Sequence, residues 1–277
     1  VFKYNNLFRD FLKADLFNTL DKKAYEEMHK RVGKLFWELN AHEEAIRFFI
    51  VAGAYSDIAR IIRIKGIDYV ITGRSAGLAE CIRALPREMV DQDPWLIFFD
   101  TMTRRIKGGE KNIQAFAKAL DFFKRVGDHR GILLCTAYLI EAAVFIRKPS
   151  QVILSWIGAG EACLKTLKGK HRYTWARTLL WQQIGLGYIA GNGDIPKGIS
   201  ACRNAILLAK RIENPDLLLN ASVILTLGFV QSGDFTQARQ MLDRIQDITQ
   251  EGRHPEYRAL KNITNIDYAL QKGELEL

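Results

Sequence analysis

The sequence predicts an all-α fold in which helical hairpins stack into a right-handed superhelix. Three observations predict it. Apolar residues recur at three- and four-residue spacing through nearly every long segment, which places them on one helix face. Few stretches alternate apolar and polar residues as a surface strand does, and only six prolines interrupt the chain. A glycine-acid pair returns at a fixed interval, as Gly193-Asp194, Gly233-Asp234 and Gly273-Glu274, forty residues apart each time. A fixed period in this range marks a solenoid, because one hairpin cannot bury its apolar face alone.

The elements follow in order. The chain opens on "VFKYNNLFRDFLKADL" with no initiator Met, and only four residues follow Gly273. Both ends are expected to be cut ends of a larger protein. In "LNAHEEAIRFFIVAGAY", Asn40 is placed as a helix cap with Glu43 three residues on. Ala45, Phe49 and Ala52 then fall at helical intervals. Breaks follow at Gly108-Gly109 and at Pro149-Ser150. In "PKGISACRNAILLAKRIENP", Ile199, Cys202, Ile206 and Ala209 share a face. Pro196 suits a first turn, where its missing N–H has no partner to lose, and Asn214-Pro215 is a stop. The next segment, "DLLLNASVILTLGFVQSG", is apolar around much of its circumference, so it is sandwiched between neighbours. At each glycine-acid pair the glycine takes the left-handed conformation that closes one helix. The acid caps the next, and Ile195, Phe235 or Leu275 begins its packing. Gln237 stands where it completes a capping box with Asp234. The unit of about 40 residues recurs roughly six times.

Composition excludes several classes. No apolar run approaches the roughly 20 residues of a membrane span. Cys81, Cys135, Cys163 and Cys202 lie far apart and form no zinc spacing; they are small hydrophobes in a reducing, cytoplasmic compartment. There is no GxxxxGK[ST] phosphate loop and no GxGxxG run. "GNGDIPKG" is a hairpin turn. Asp and Glu fall mainly at caps and on charged faces, and no Ser/His/Asp or Cys/His set is suggested, so no catalysis, no metal and no cofactor are expected in this chain. A helical-hairpin glycosidase would need two carboxylates meeting in one cleft, which spacing does not show. The net charge of +9 is uneven: over residues 109–178, Lys and Arg outnumber Asp and Glu by 12 to 5. The excess is densest around Lys165, Lys168, Lys170 and Arg172, beside Tyr173 and Trp175. Such a patch suits nucleic acid or an acidic partner, or is a solvated loop before a core-facing helix.

The unit resembles the tetratricopeptide repeat. With Gly233 as the between-helix glycine, Leu225, Phe229, Ala238, Leu242 and Ile245 fall at that motif's packing positions. Asn40, Ala45, Phe49 and Ala52 fit the same frame. The Trp, Gly and Pro marks are mostly missing and the period exceeds the usual 34. On this frame Gln183 and Asn220 point towards the concave groove, with Tyr138, Glu141, Arg177 and Trp181 nearby.

Residues 2–100 resemble a narrower family, the ATP-dependent LuxR-type regulators of bacteria, signal-transducing NTPases typified by the activator of maltose genes. The run "FKYNNLFRDFLKADL" is similar to theirs through Tyr4, Leu7, Phe8, Arg9, Phe11 and Leu12, with Asn5 and Asn6 where His is common. His29, Trp37, Glu44, Ala45, Ile46, Ala52, Gly53 and Ala59 continue it, and Leu85, Pro86, Pro94 and Leu96 match the family's Leu-Pro…Pro-x-Leu junction. The resemblance implies that residues 1–38 are the tail of a winged-helix region plus a linking helix, and 39–277 a superhelix truncated at its C-terminus. It implies ATP and Mg only in a missing upstream domain, and DNA only through another missing domain. The superhelix would bind a small-molecule inducer or a protein or peptide partner in its groove and control self-association, with no membrane involved. The alternative is a stand-alone repeat scaffold whose basic middle binds an acidic peptide or protein.

Overall fold

The computed structural model describes residues 19–71, 74–105, 107–167 and 173–250, the last five as backbone, and the isolated positions 11, 15, 262, 265 and 268–273. Apart from Phe11 and Asp15, the opening aromatic motif lies outside them, as do Glu274 and Leu275. The described residues are helical, with no strand. They form two compact units, Val1–Arg104 and Arg105–Leu277.

In the first unit α1 (Lys22–Glu38) packs on α2 (His42–Val51), and α3 (Tyr55–Ile71) on α2, α4 (Ser75–Arg83) and α6 (Pro94–Thr103). The short α5 (Arg87–Gln92) lies against α6. Phe49, Phe98 and Phe99 are its largest fully buried anchors. Asp93 caps α6 by accepting from the N–H groups of Trp95 and Leu96. One expectation is corrected here. Asn40 is not the cap of α2: that position is Ala41, with no side-chain bond. Asn40 instead has φ 58° and closes α1. Asparagine tolerates this left-handed backbone better than most residues.

The second unit holds α7 (Gly109–Val126), α8 (His129–Phe145), α9 (Ser150–Thr166), α10 (Thr174–Leu186), a π-helical turn (Gly187–Asn192), α11 (Ile195–Arg211), α12 (Pro215–Gln231) and α13 (Phe235–Gln250). Helices α8, α10 and α12 stand side by side, and α7, α9, α11 and α13 pack on them. The sequence separates the two sets. On α8 eleven of seventeen residues are buried, as a helix with neighbours on several sides requires. On α11 the inward face is small, with Gly198, Ala201, Cys202, Ala205 and Ala209 buried.

That small face lets α10 and α11 approach closely. A methyl group added at Gly185 would lie 2.4 Å from the Cys202 Sγ and 3.2 Å from the Gly198 carbonyl oxygen. An alanine there would force the Cys202 side chain to move and press on the α11 backbone behind it, so this crossing is strained by even one methyl group.

One two-residue turn joins helices four times. A left-handed residue (Gly127, Gly193, Glu213, Gly233) precedes Asp128, Asp194, Asn214 or Asp234. The second residue's side chain accepts from the N–H three positions on, at 3.0, 3.3, 2.9 and 3.1 Å. At three of them its own N–H reaches back five residues, as in Asp234 to the Phe229 carbonyl at 2.9 Å. This is the Schellman closure. The expected roles of Gly193-Asp194 and Gly233-Asp234 are borne out. Asn214-Pro215, read as a stop, does follow the end of α11 at Arg211 and is also a start: Asn214 caps α12 and Pro215 is its first residue, while Glu213 closes α11. The capping box at Asp234 is half formed, because the Asp234 N–H is already bonded to Phe229 and does not need the Gln237 side chain.

Candidate functional site

The polar interior of the second unit gathers where α8 and α10 meet. Tyr138 and Glu141, three apart, share a face of α8. Both are buried, at 4% and 6% exposure. Asp128 fixes the start of that helix by accepting from the Gly131 N–H. Gln183 comes from α10, 5% exposed, and its Nε2 donates to Glu141 Oε2 at 3.3 Å. Arg105 comes from the segment before α7, where its carbonyl accepts from Asn112 Nδ2 at 3.0 Å. Its Nε lies 3.4 Å from Glu141 Oε1, and its guanidinium sits 5.6 Å from the centre of the Tyr138 ring. Phe116 of α7 stacks on the other partner of this group, Tyr138, at 5.7 Å and 18°.

Each Glu141 oxygen therefore has one partner. Burial still pushes its carboxyl above the ordinary value, and the Arg105 charge only moderates that. Burial likewise pushes the Tyr138 phenol up to about 12, against the pull of Arg105. Among the described residues, the Oε1 atoms of Gln182 and Gln183 are buried with no hydrogen-bond partner. A buried amide oxygen left unbonded costs about 1–3 kcal/mol, so Gln183 holds acceptor capacity beside Glu141 that no described residue uses.

Of the residues expected at a site, the structure brings together Tyr138, Glu141 and Gln183. Arg177 and Trp181 on α10 and Asn220 on α12 are half-buried. Among the described residues no hydrogen bond or ring contact ties Trp181 or Asn220 to that group. Lys165 is exposed in the last turn of α9, and Lys168, Lys170 and Arg172 lie outside the described residues. Sequence reasoning missed Arg105 and Phe116. Arg105 stands in "TRRIKGG" with no periodic mark, and its partner is 36 positions away.

The first unit has a cleft of about 450 Å³ at the start of α2. His42, Glu43, Lys65, Asp68, Tyr69 and Arg74 line it. Its charges largely answer one another: Arg74 bonds Glu43 at 3.2 Å and lies 4.9 Å from the Tyr69 ring centre, and Lys65 pairs with Asp68 at 3.6 Å. Burial and then the Lys65 charge hold His42 below the usual histidine value, with Asp68 opposing. The cleft thus presents no single sign of charge. Among the described residues no three His, Cys, Asp or Glu side chains converge as a metal site would need, and no helix is long and apolar enough to cross a membrane.

No family model matches the chain, and no curated protein matches it.

Proposed function

We propose that the chain is the sensor and interaction superhelix of a bacterial ATP-dependent LuxR-type regulator acting in the cytoplasm. The hairpins are tetratricopeptide-like units, and the first helix of each lines a concave groove. A small-molecule inducer or a protein or peptide partner binds there. Binding favours one curvature and so shifts the parent towards its self-associated state. The chain itself performs no catalysis; ATP, Mg and DNA engage other domains of the parent.

One observation supports this reading most. Helices α8, α10 and α12 stand side by side, and the proposed repeat frame takes them as its first helices. Two of them deliver Tyr138, Glu141 and Gln183 to one place, with the Gln183 Oε1 left unsatisfied among the described residues. A ligand donating a hydrogen bond to that oxygen would stabilise the fold by about 2.7 kcal/mol at a hundred times its Kd. The test is thermal unfolding of the purified chain against sugars, nucleotides and peptides. The expected result is a compound that raises Tm in the natural chain and not in Gln183→Ala. No stabilising compound in a broad set would sink the small-molecule form of the proposal.

A further inference from the structure

Among the described residues, the outer face of α11 carries charge of one sign. From Ile195 to Arg211 the helix carries Lys197, Arg203, Lys210 and Arg211 and no acid. Lys197 is occupied by Asp194 at 2.8 Å. Arg203, Lys210 and Arg211 are exposed, and none forms an ion pair among the described residues. The nearest carboxylate in sequence, Glu213, is not bonded to them. Leu207 stands between them and is 60% exposed. At 100° per residue all four side chains lie within about one third of the helix circumference.

Stability alone does not account for this face. Cations in the last turn complement the helix dipole, which covers Lys210 and Arg211. Arg203 is mid-helix, beyond the reach of that effect. Nor does packing need Leu207 outside: Ile199 and Ile206 of the same helix pack against the core, whereas Leu207 points to water. By contrast the outer face of α7 mixes Lys111 and Lys118 with Glu110 and Asp121.

We propose that Arg203, Leu207, Lys210 and Arg211 form a docking surface for an acidic segment of a protein partner. That segment carries two or three carboxylates around one bulky apolar side chain. The carboxylates pair with the three cations over about 12 Å, the rise of eight helical residues, and the apolar group covers Leu207. Charge complementarity selects the sign. The lone leucine selects protein, because a nucleic acid backbone has no use for it and a membrane-surface helix needs a broad apolar face. This surface is independent of the Glu141 group and of the sensor reading.

The test is fluorescence anisotropy with the full chain and a labelled glutamate-rich peptide bearing a central Phe-Leu pair. Its control has Ser at both apolar positions. Binding is expected to weaken about tenfold as salt rises from low to several times physiological, as screening of exposed charges requires. The control peptide and Leu207→Ser should each bind about threefold to tenfold more weakly, the cost of about one lost apolar contact. Arg203→Glu with Lys210→Glu should abolish binding. All of these changes are on the surface, and circular dichroism checks that each variant keeps its helices. The proposal is overturned if the control peptide binds as well as the test peptide. It is equally overturned if the charge reversals leave binding intact, if duplex DNA or phosphatidylserine vesicles compete better than the peptide, or if the peptide does not bind at low salt.

Discussion

At the scale of the residue, Glu141 is the group whose chemistry the fold alters in the most testable way. Its carboxyl is raised above its ordinary value of 4.5 by burial. A folded state that holds its proton more tightly than the unfolded chain loses stability as pH rises. The loss begins near the ordinary value and runs up through the raised one. Glu141→Gln removes the titration while keeping an acceptor for Arg105. Thermal melts across the acid range should therefore show the natural chain losing ground to the variant as pH rises from about 4.5 towards neutrality. A constant difference between the two would mean that Glu141 is not perturbed. The cysteines make a second prediction. Burial raises the thiols of Cys81 to about 11 and of Cys202 to about 12, and holds Cys135 well above normal. Burial raises Cys163 as well, but it is only half-buried and so the most accessible of the four. A maleimide at mild pH should modify one thiol quickly, at Cys163, and the other three only on unfolding. Four fast thiols would contradict the described core.

At the scale of the element, the left-handed residue is the unit of design. Gly127 and Arg147 are twenty apart, and so are Gly193, Glu213 and Gly233. The sequence displays only the glycines, and so shows a period of forty. Arg147 and Glu213 adopt the same backbone, at φ 55° and 50°, yet carry no mark that separates them from a helical residue. Their side chains cost roughly 1 kcal/mol there relative to glycine. Arg147→Gly or Glu213→Gly should each raise Tm by roughly 2–4 °C, the shift expected for a domain of this size. Lowered Tm in both would argue against the left-handed assignment. The π-helical turn was also illegible. Gly187 fits there against Ile140 and Ile157, and the Gly191 carbonyl accepts from Ser150 Oγ at 3.1 Å. These partners come from α8 and α9, and a single helix's periodicity does not contain them.

At the scale of the whole molecule, helix existence and order were legible because the apolar spacing is long and regular. The turn residues Gly193, Asp194, Gly233 and Asp234 were legible because their backbone demands particular residue types. The polar group was legible in part: Tyr138, Glu141 and Gln183 follow from face assignment on two helices, whereas Arg105 meets them only through tertiary packing. The division into Val1–Arg104 and Arg105–Leu277 has no compositional mark such as a proline- or serine-rich linker. Arg105 makes its bonds to Glu141 and Asn112 within the second unit. A polypeptide of residues 105–277 should therefore retain its helices and melt cooperatively, as followed by circular dichroism. A non-cooperative melt would mean that the second unit cannot hold its core alone.

The repeated turn also governs how such a chain can change in length. A cut after Gly193 rejoined at Asp234 removes α11 and α12 whole. The new junction is again a left-handed glycine followed by a capping aspartate. Duplication between the same two points adds a hairpin by the same rule. Recombination at these sites inserts or deletes complete hairpins without requiring any new turn, so the number of repeats can drift while the local grammar stays fixed.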